Sequence, residues 1–557
     1  MHFFKRFFVS ILIITCLLSG CTSLPVNANT EFRNFTLSLF QSEVSSNTIN
    51  LHYSLKNPEK YGITSAPITL GSFDHSSIAS SAYFENLRST LESFSYENLS
   101  YENQLTYDVL SYYIDHTSLS NHYYLYQEPL TPLTGIHAQL PVLLAEYPFY
   151  SEKDVTTYLE LLKTIPLYFE SLIDFQKTKA SEGLFMSDAI ADEVIAQCNA
   201  FVAMGEGNYL ISTFKERVDK LNLSDYVSKN RDIVMTIVLP AYEYLAKELS
   251  LLKGSGCNEK GLCYYKNGSD YYKYLASVST GSSRSIKELQ TLTKKYIKED
   301  LRNIQTTLDE NPSILSETVS YTCSPEEILN TLQRKISKSF PVSSNVNVEI
   351  KRVPEGLAEY LSPAFYLIPA MDDYTDNTIY INDAYDMDEL SLFTTLAHEG
   401  YPGHLYQTTY YAASTPDPIR TYLDFPGYVE GWATYAEMCS YYISPLEKPL
   451  ATLMQKNSSM ILGLYAYADM GIHYDGWSLE DTISFFASYG IEDEETVAEI
   501  YKMIIGNPAN YLSYYIGYVE ILELKKEFSG TQMEFHKRLL EIGPAPFEII
   551  QKHIKYS

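Results

Sequence analysis

Hydrophobic positions recur every three or four residues over most of the chain, which is the spacing that one face of an α-helix presents to a core. Pro129, Pro132, the turn at 181–183 and the loop at 254–268 interrupt this pattern, since proline, glycine and small polar residues favour turns. The pattern predicts long helices over 83–117, 152–178, 187–221, 227–253 and 284–308.

A short region in the second half has a different pattern. Residues 346–353 alternate between apolar and polar side chains, and short apolar or β-branched runs follow at 365–368 and 378–381. Helical periodicity resumes near residue 388. We therefore expect one large, mainly α domain over residues 46–557 that contains a small β-sheet.

The N-terminus has the pattern of an export signal. Residues 1–20 contain two basic residues and then an apolar stretch that is too short for a good membrane-spanning helix. The sequence Leu18-Ser19-Gly20-Cys21 resembles a bacterial lipobox, in which Cys21 is lipidated; the alternative is an ordinary cleaved signal. We expect a flexible tether over 21–45 and a lipid-anchored protein on the extracytoplasmic face of a bacterial cell membrane.

The cysteines are consistent with export. Cys257 and Cys263 flank a short glycine-containing loop and could form a local disulfide in an oxidising compartment. The alternative is two free thiols.

Composition excludes some partners. Asp and Glu number 69 against 41 Lys and Arg, so the chain has a formal charge of −28 and is a poor candidate for nucleic-acid binding. The 50 tyrosines would suit an aromatic-lined cleft, although a compositional habit of the genome explains them equally well. The oligomeric state stays open.

The strongest chemical signal is the segment that contains His398, Glu399 and His404. An adjacent His-Glu pair in a helix is typical of zinc hydrolases, in which the imidazole binds zinc and the carboxylate activates water. The usual second histidine lies four residues after the first, where this chain has Pro402. On a regular helix, six residues would turn the two imidazoles about 120° apart, so both bind one ion only if the helix breaks between them. Otherwise both are ordinary histidines.

A second segment supplies a possible third ligand. A helix is predicted to begin after Pro426-Gly427, and Glu430 near its start lies 31 residues after Glu399. Glu437 lies seven residues further on the same helix face. It could orient a ligand imidazole, or it could be a solvated surface charge.

The motifs HEGYPGH and VEGWATYAE resemble the bacterial domain-of-unknown-function 885 family, whose members are grouped with two-His-one-Glu zinc metallopeptidases. The resemblance extends over most of residues 46–557. It implies a large helical metallopeptidase-like fold with a deep cleft and a small sheet near the active site. Two departures are Leu405, where many members have a second histidine, and Asn510, where many have glutamine.

The resemblance also implies site residues and a cofactor, one Zn²⁺ per chain. The implied metal ligands are His398, His404 and Glu430. Glu399 would be the general base, and Tyr514 would stabilise the oxyanion, with Tyr515 as the fallback. His473 could be a further hydrogen-bond donor to substrate, although a buried core histidine is an equal alternative.

Two further residues have structural alternatives. Arg420 could bind a peptide carboxylate, but a helix cap or an ion pair is the more ordinary role. His536 lies on an amphipathic helix and is expected to be structural.

These observations predict an extracytoplasmic zinc metallopeptidase that acts on oligopeptides. Two alternatives stay open, namely a lipoprotein that binds peptides or other ligands without turnover and a zinc amidase that acts on cell-wall material. An intact Glu399 favours a hydrolase, because a binding protein needs no carboxylate beside a ligand histidine.

Overall fold

Helices make up nearly all of the regular structure, which confirms the mainly α prediction. The computed structural model describes residues 27–74, 81–256, 258–314, 323–353, 358 and 361–555. The predictions for the signal peptide, for Cys21 and for the Cys257–Cys263 disulfide lie outside the described residues. In the described part of the chain, no helix is both long enough and apolar enough to cross a bilayer.

The predicted tether at 21–45 is wrong for most of its length, because α1 occupies it and packs into the core. Phe32, Phe40 and Val44 are fully buried there, and a helix that presents such positions on one face gains stability from their burial. The serines and asparagines between them made the segment look like a linker. The first four helices are α1 (Ala28–Val44), α2 (Thr48–Ser54), α3 (Ser81–Glu92) and α4 (Tyr101–Ser120).

The next group of helices shows that several long predicted helices are each divided. Pro166 lies in the first turn of α7, where its missing N–H has no helical partner in any case. The side chain of Asn208 accepts a hydrogen bond from the N–H of Leu210 and caps α9. The helices are α5 (Ile136–Ala145), α6 (Glu152–Leu162), α7 (Ile165–Ser181), α8 (Asp188–Ala203), α9 (Tyr209–Lys220), α10 (Val227–Ile233) and α11 (Leu239–Leu252).

Three helices then lead to the sheet. They are α12 (Gly268–Thr280), α13 (Ile286–Glu310) and α14 (Pro325–Ile336). The predicted strands are confirmed as β1 (Asn347–Arg352), β2 (Ala364–Leu367) and β3 (Asp376–Ile381). The order is β1-β3-β2, with β1 parallel and β2 antiparallel to β3, so Ile379 pairs with Ile350 on one side and Tyr366 on the other.

The rest of the chain is helical. The helices are α15 (Glu389–Glu399), α16 (His404–Ala413), α17 (Pro418–Tyr422), α18 (Pro426–Ser440), α19 (Lys448–Met470), α20 (Leu479–Ala487), α21 (Glu494–Gly506), α22 (Asn510–Glu527), α23 (Gln532–Ile542) and α24 (Phe547–Ile554).

Two large hydrophobic cores meet at the sheet. The first joins α1–α4 to the C-terminal helices, and Phe32, Trp432 and Ile550 all belong to it. The second is formed mainly by α5–α11. Ile379 of β3 packs into the first core, and its neighbour Tyr380 packs into the second. This alternation places the sheet between the two cores. Strand β2 lies beside α15, where the chemical motif lies.

Candidate metal centre

The helix breaks between His398 and His404, as the sequence predicts. His398 and Glu399 form the last turn of α15, and His404 is the first residue of α16. A Cβ atom at Gly403 would lie 1.8 Å from the carbonyl oxygen of His398, so only glycine allows the chain to fold back this closely. The N–H of Gly403 donates to the carbonyl of Ala397 at 2.9 Å. The break therefore returns His404 to the side of His398.

The three predicted ligands converge. The Nε2 atoms of His398 and His404 lie 3.6 and 3.4 Å from Oε2 of Glu430, and one ligand atom from each residue lies within 4.8 Å of the others. Ligands about 2.0–2.1 Å from a tetrahedral zinc ion are roughly 3.4 Å apart. The spacing therefore matches a shared ion.

Glu430 provides a second indication that a cation fits here. Its Oε2 atom is buried and faces both imidazoles. Burial opposes ionisation of Glu430, but the two imidazoles outweigh it and hold the pKa of this carboxyl well below its usual range. A buried carboxylate is stabilised by a positive charge beside it, which a bound cation would supply.

Glu437 orients the first imidazole. Its Oε2 atom lies 3.1 Å from Nδ1 of His398, so the ring nitrogen that does not face Glu430 points to a carboxylate. Burial would lower the pKa of His398, but Glu430, Glu437 and Glu399 together raise it well above its ordinary value. Of the two roles considered for Glu437, the structure thus favours the orienting one.

Glu399 lies beside the ligands and contacts the sheet. The main-chain N–H of Tyr366 in β2 donates to Oε2 of Glu399 at 2.8 Å. This contact could not be foreseen from the sequence, because the donor is a backbone amide that leaves no side-chain signal. The edge strand therefore fixes the carboxylate next to the ligand group.

Tyr514 is the tyrosine that reaches the centre. Its ring stacks on that of His398 with centroids 6.2 Å apart. The charge of Glu430, then burial and the charge of Glu399, raise the pKa of Tyr514 well above its usual value, so its hydroxyl stays protonated. Tyr515, the fallback, instead points into the core, where its hydroxyl would lie 2.8 Å from a Cβ atom at Gly463.

His473 does not join the ligand group. Its Nδ1 accepts from the N–H of Leu262 at 3.1 Å, and its Nε2 donates to the carbonyl of Ile504 at 2.9 Å. Burial lowers its pKa to about 4. Because both ring nitrogens are bonded to the main chain, His473 is a neutral core histidine, and the prediction that it donates to substrate is wrong in this structure.

Two other residues have structural positions. Arg420 is buried and donates to the carbonyls of Ile542 and Pro544, which leaves it no access to a peptide carboxylate. His536 is fully buried between the hydroxyl of Tyr435 and the carbonyl of Ser339, in agreement with a structural role.

The helices that carry Glu430 and Tyr514 approach each other unusually closely. A Cβ atom at Gly431 of α18 would lie 2.4 Å from the carbonyl carbon of Gly517 in α22. The contact brings Glu430 and Tyr514 to the same side of the crossing. Gly431, next to Glu430 in the motif, was the signal in the sequence for this approach.

The fold and the site thus define a class of protein: a helical protein with a His/His/Glu group at a helix break. The family described as "Bacterial protein of unknown function (DUF885)" matches residues 74–554, so the chain belongs to that family. No functionally curated protein matches the chain significantly.

Two solved structures share the fold. The crystal structure of a "putative lipoprotein" from Colwellia psychrerythraea is 18% identical, with a TM-score of 0.78, and the match covers 95% of this chain and 99% of the other. A "putative lipoprotein of unknown function" from Shewanella oneidensis is 15% identical, with a TM-score of 0.57 and coverage of 94% and 98%. At these identities the likeness shows the fold alone.

Proposed function

We propose that this protein is a zinc metallopeptidase that hydrolyses oligopeptides on the extracytoplasmic face of a bacterial membrane. The observation that supports this proposal most is the convergence of His398, His404 and Glu430 with Glu399 alongside. Metal binding alone would not call for Glu399. A carboxylate held next to the ligand group suits acid–base chemistry on a bound substrate.

Each neighbouring residue has a role in such a reaction. When bound, a zinc ion would polarise the scissile carbonyl and acidify a water molecule. Glu399 would take the proton from the attacking water and pass it to the leaving nitrogen, with the N–H of Tyr366 holding its other oxygen. The protonated hydroxyl of Tyr514 would donate to the developing oxyanion. Glu437 would keep the imidazole of His398 in its ligating orientation.

We also propose that Cys21 carries the lipid anchor. The lipobox sequence supports this assignment, as does the "putative lipoprotein" description of two proteins with the same fold. Acyl chains on an N-terminal cysteine would hold the protein at the bilayer surface.

Metal content and turnover test the proposed activity together. The protein with Cys21→Ser is purified, its zinc is measured by elemental analysis, and internally quenched peptide libraries are assayed. We expect about one zinc per chain, loss of turnover without loss of zinc in Glu399→Gln, and loss of zinc in His404→Ala. Glu389→Gln, in the first turn of the same helix, is the matched control and should keep both.

Other outcomes would redirect the assignment. Zinc without peptide turnover, but with release of amines from cell-wall fragments, would favour the amidase. Zinc with tight peptide binding and no turnover of either substrate would favour the binding lipoprotein. A protein that takes up no zinc would contradict both the peptidase and the amidase, and would leave the ligand-binding lipoprotein.

A further inference from the structure

The first described helix begins only a few residues after Cys21 in the sequence. Asn27 caps α1 by accepting from the N–H of Asn29. The side-chain oxygen of Asn29 in turn accepts from the N–H of Ser100 and the amide of Asn103, both at 2.7 Å. The first turn of α1 is therefore bonded to the first turn of α4, and it is not part of a linker.

This position limits the length of any tether. Six residue steps separate Cys21 from Asn27, and a fully extended chain of that length spans about 20 Å. A tether that continued to residue 45 would have reached roughly 80 Å. With acyl chains on Cys21 in the bilayer, Asn27 cannot lie further from the headgroups than this shorter reach.

We propose that the short tether holds one defined face of the protein, which we call the anchor face, against the bilayer surface. The anchor face consists of residues 27–31, 100–103 and 552–553. The hydroxyl of Tyr101 donates to the carbonyl of His553 at 3.2 Å, which connects the start of α4 to the end of α24. The inference rests on the proposed anchoring at Cys21.

Charge alone would not produce this orientation. Glu31 and Glu102 are exposed on or beside the face, as are Arg33 and Lys552, so the two signs are mixed there. The whole chain carries −28, which anionic lipids repel. The length of the tether, and not an attraction between the face and lipid, therefore determines the orientation.

The contact with α1 and the ligand group lie at opposite ends of α16. His404 is the first residue of α16, which extends about 15 Å to its other end. Asp417, just beyond that other end, accepts a hydrogen bond from Thr36 of α1. The ligand group is thus at the end of α16 that is remote from the contact with α1.

The test measures how well the bilayer shields the anchor face. The full chain is produced with its signal and with Cys257→Ser, Cys263→Ser and Cys323→Ser, which removes thiols that would compete for the label, then placed in phosphatidylethanolamine–phosphatidylglycerol vesicles. Tyr101→Cys and Glu102→Cys report on the anchor face. Leu251→Cys is the control, because Leu251 is exposed on α11, a helix that belongs to the second core. Modification by a bulky polyethylene-glycol maleimide is timed in vesicles and in detergent, and mass spectrometry determines the lipid on Cys21.

We expect modification at 101 and 102 to be severalfold slower in vesicles than in detergent, with no change at 251. Inserting 20 Gly/Ser residues between 26 and 27 should restore the rates, because such a linker lets the body move away. Equal rates in vesicles and detergent at 101 and 102 on a lipidated chain would overturn the orientation alone. An unlipidated Cys21 would overturn the anchoring and, with it, the orientation.

Discussion

At the scale of single residues, the candidate centre depends on the balance of charge among carboxylates and imidazoles. Glu430 and Glu437 face opposite nitrogens of His398, and Glu399 lies close enough to raise its pKa. Positive charge is therefore favoured at this position, as a proton or as a metal ion. Acidic conditions should release the metal, because protons then compete for the ligand nitrogens.

Glu437 should contribute to metal affinity without touching the metal. We expect Glu437→Ala to weaken zinc binding about 10- to 100-fold, because the imidazole of His398 loses the partner that orients it. The zinc affinity of Glu437→Gln should fall between those of the wild type and Glu437→Ala, since the glutamine amide oxygen still accepts a hydrogen bond from Nδ1–H of His398. Competition with a chelator measures the affinities, and Glu495→Gln on α21 is the control. Wild-type affinity in Glu437→Ala would remove its orienting role.

Tyr514 should act on the reaction more than on binding. Tyr514→Phe should lower kcat about 10²- to 10³-fold with little change in KM or zinc content, because the lost donor acts on the developing oxyanion. Tyr515→Phe is the matched control, since its buried hydroxyl has no hydrogen-bond partner among the described residues. Steady-state kinetics on one quenched peptide measures kcat and KM for both variants. An effect confined to KM would assign Tyr514 to substrate binding.

The site residues were predictable where side-chain type and spacing carry the chemistry. His398, Glu399, His404 and Glu430 could be selected in this way. His473 could not be excluded from the sequence, because its main-chain partners belong to two distant segments.

At the scale of elements, the crossing of α18 and α22 places Glu430 and Tyr514 together. We expect Gly431→Ala to lower the free energy of unfolding by about 1–3 kcal/mol, because its Cβ would overlap the backbone of Gly517. It should also weaken zinc binding by separating the helices. Gly207→Ala, with open space around the new Cβ, is the control. Denaturant titration measures the stability of the two variants, and competition with a chelator measures their zinc affinity. Equal stability of the two variants would contradict the close crossing.

The start of α22 should make stability depend on pH. Both oxygens of Asp469 accept from the N–H of Ala509, the hydroxyl of Tyr272 donates to it, and burial raises its pKa to about 7. The folded state thus retains a proton that the unfolded chain releases near pH 4, so this contribution to stability is full below pH 4 and falls up to about pH 7.

Asp469→Asn should remove this dependence. The free energy of unfolding of the wild type relative to the variant should decline by roughly 1.4 kcal/mol per pH unit between about pH 4 and 7, then level off. Denaturant unfolding of both proteins in chelator across that range measures it. A difference that stays constant between about pH 4 and 7 would show that Asp469 is ionised in the folded state as well.

Elements were predictable from periodicity, but their ends were less so. The 284–308 prediction corresponds to one helix, α13, because a capping box at Ser285 and Glu288 begins it. The 83–117 prediction divides into α3 and α4, since periodicity continues across the short turn before Ser100. In α1, polar composition concealed a helix whose apolar residues share one face.

At the scale of the whole molecule, the first core joins the two ends of the chain. The hydroxyl of Thr36 bonds to Asp417 across 381 positions, and Lys552 pairs with Asp108 across 444. No local pattern of residues encodes such pairing, so the sequence predicted one mainly α domain but not which helices share a core.

The joining of the two ends has a consequence for secretion. On the export route proposed above, the chain would emerge from the membrane unfolded and N-terminus first. The helices α1–α4 then emerge hundreds of residues before α15–α24, against which they pack. The apolar faces of α1–α4 are exposed to solvent during this interval, and exposed apolar surface promotes aggregation. On this route, the rate at which the last third of the chain follows the first would determine how long these apolar faces stay exposed.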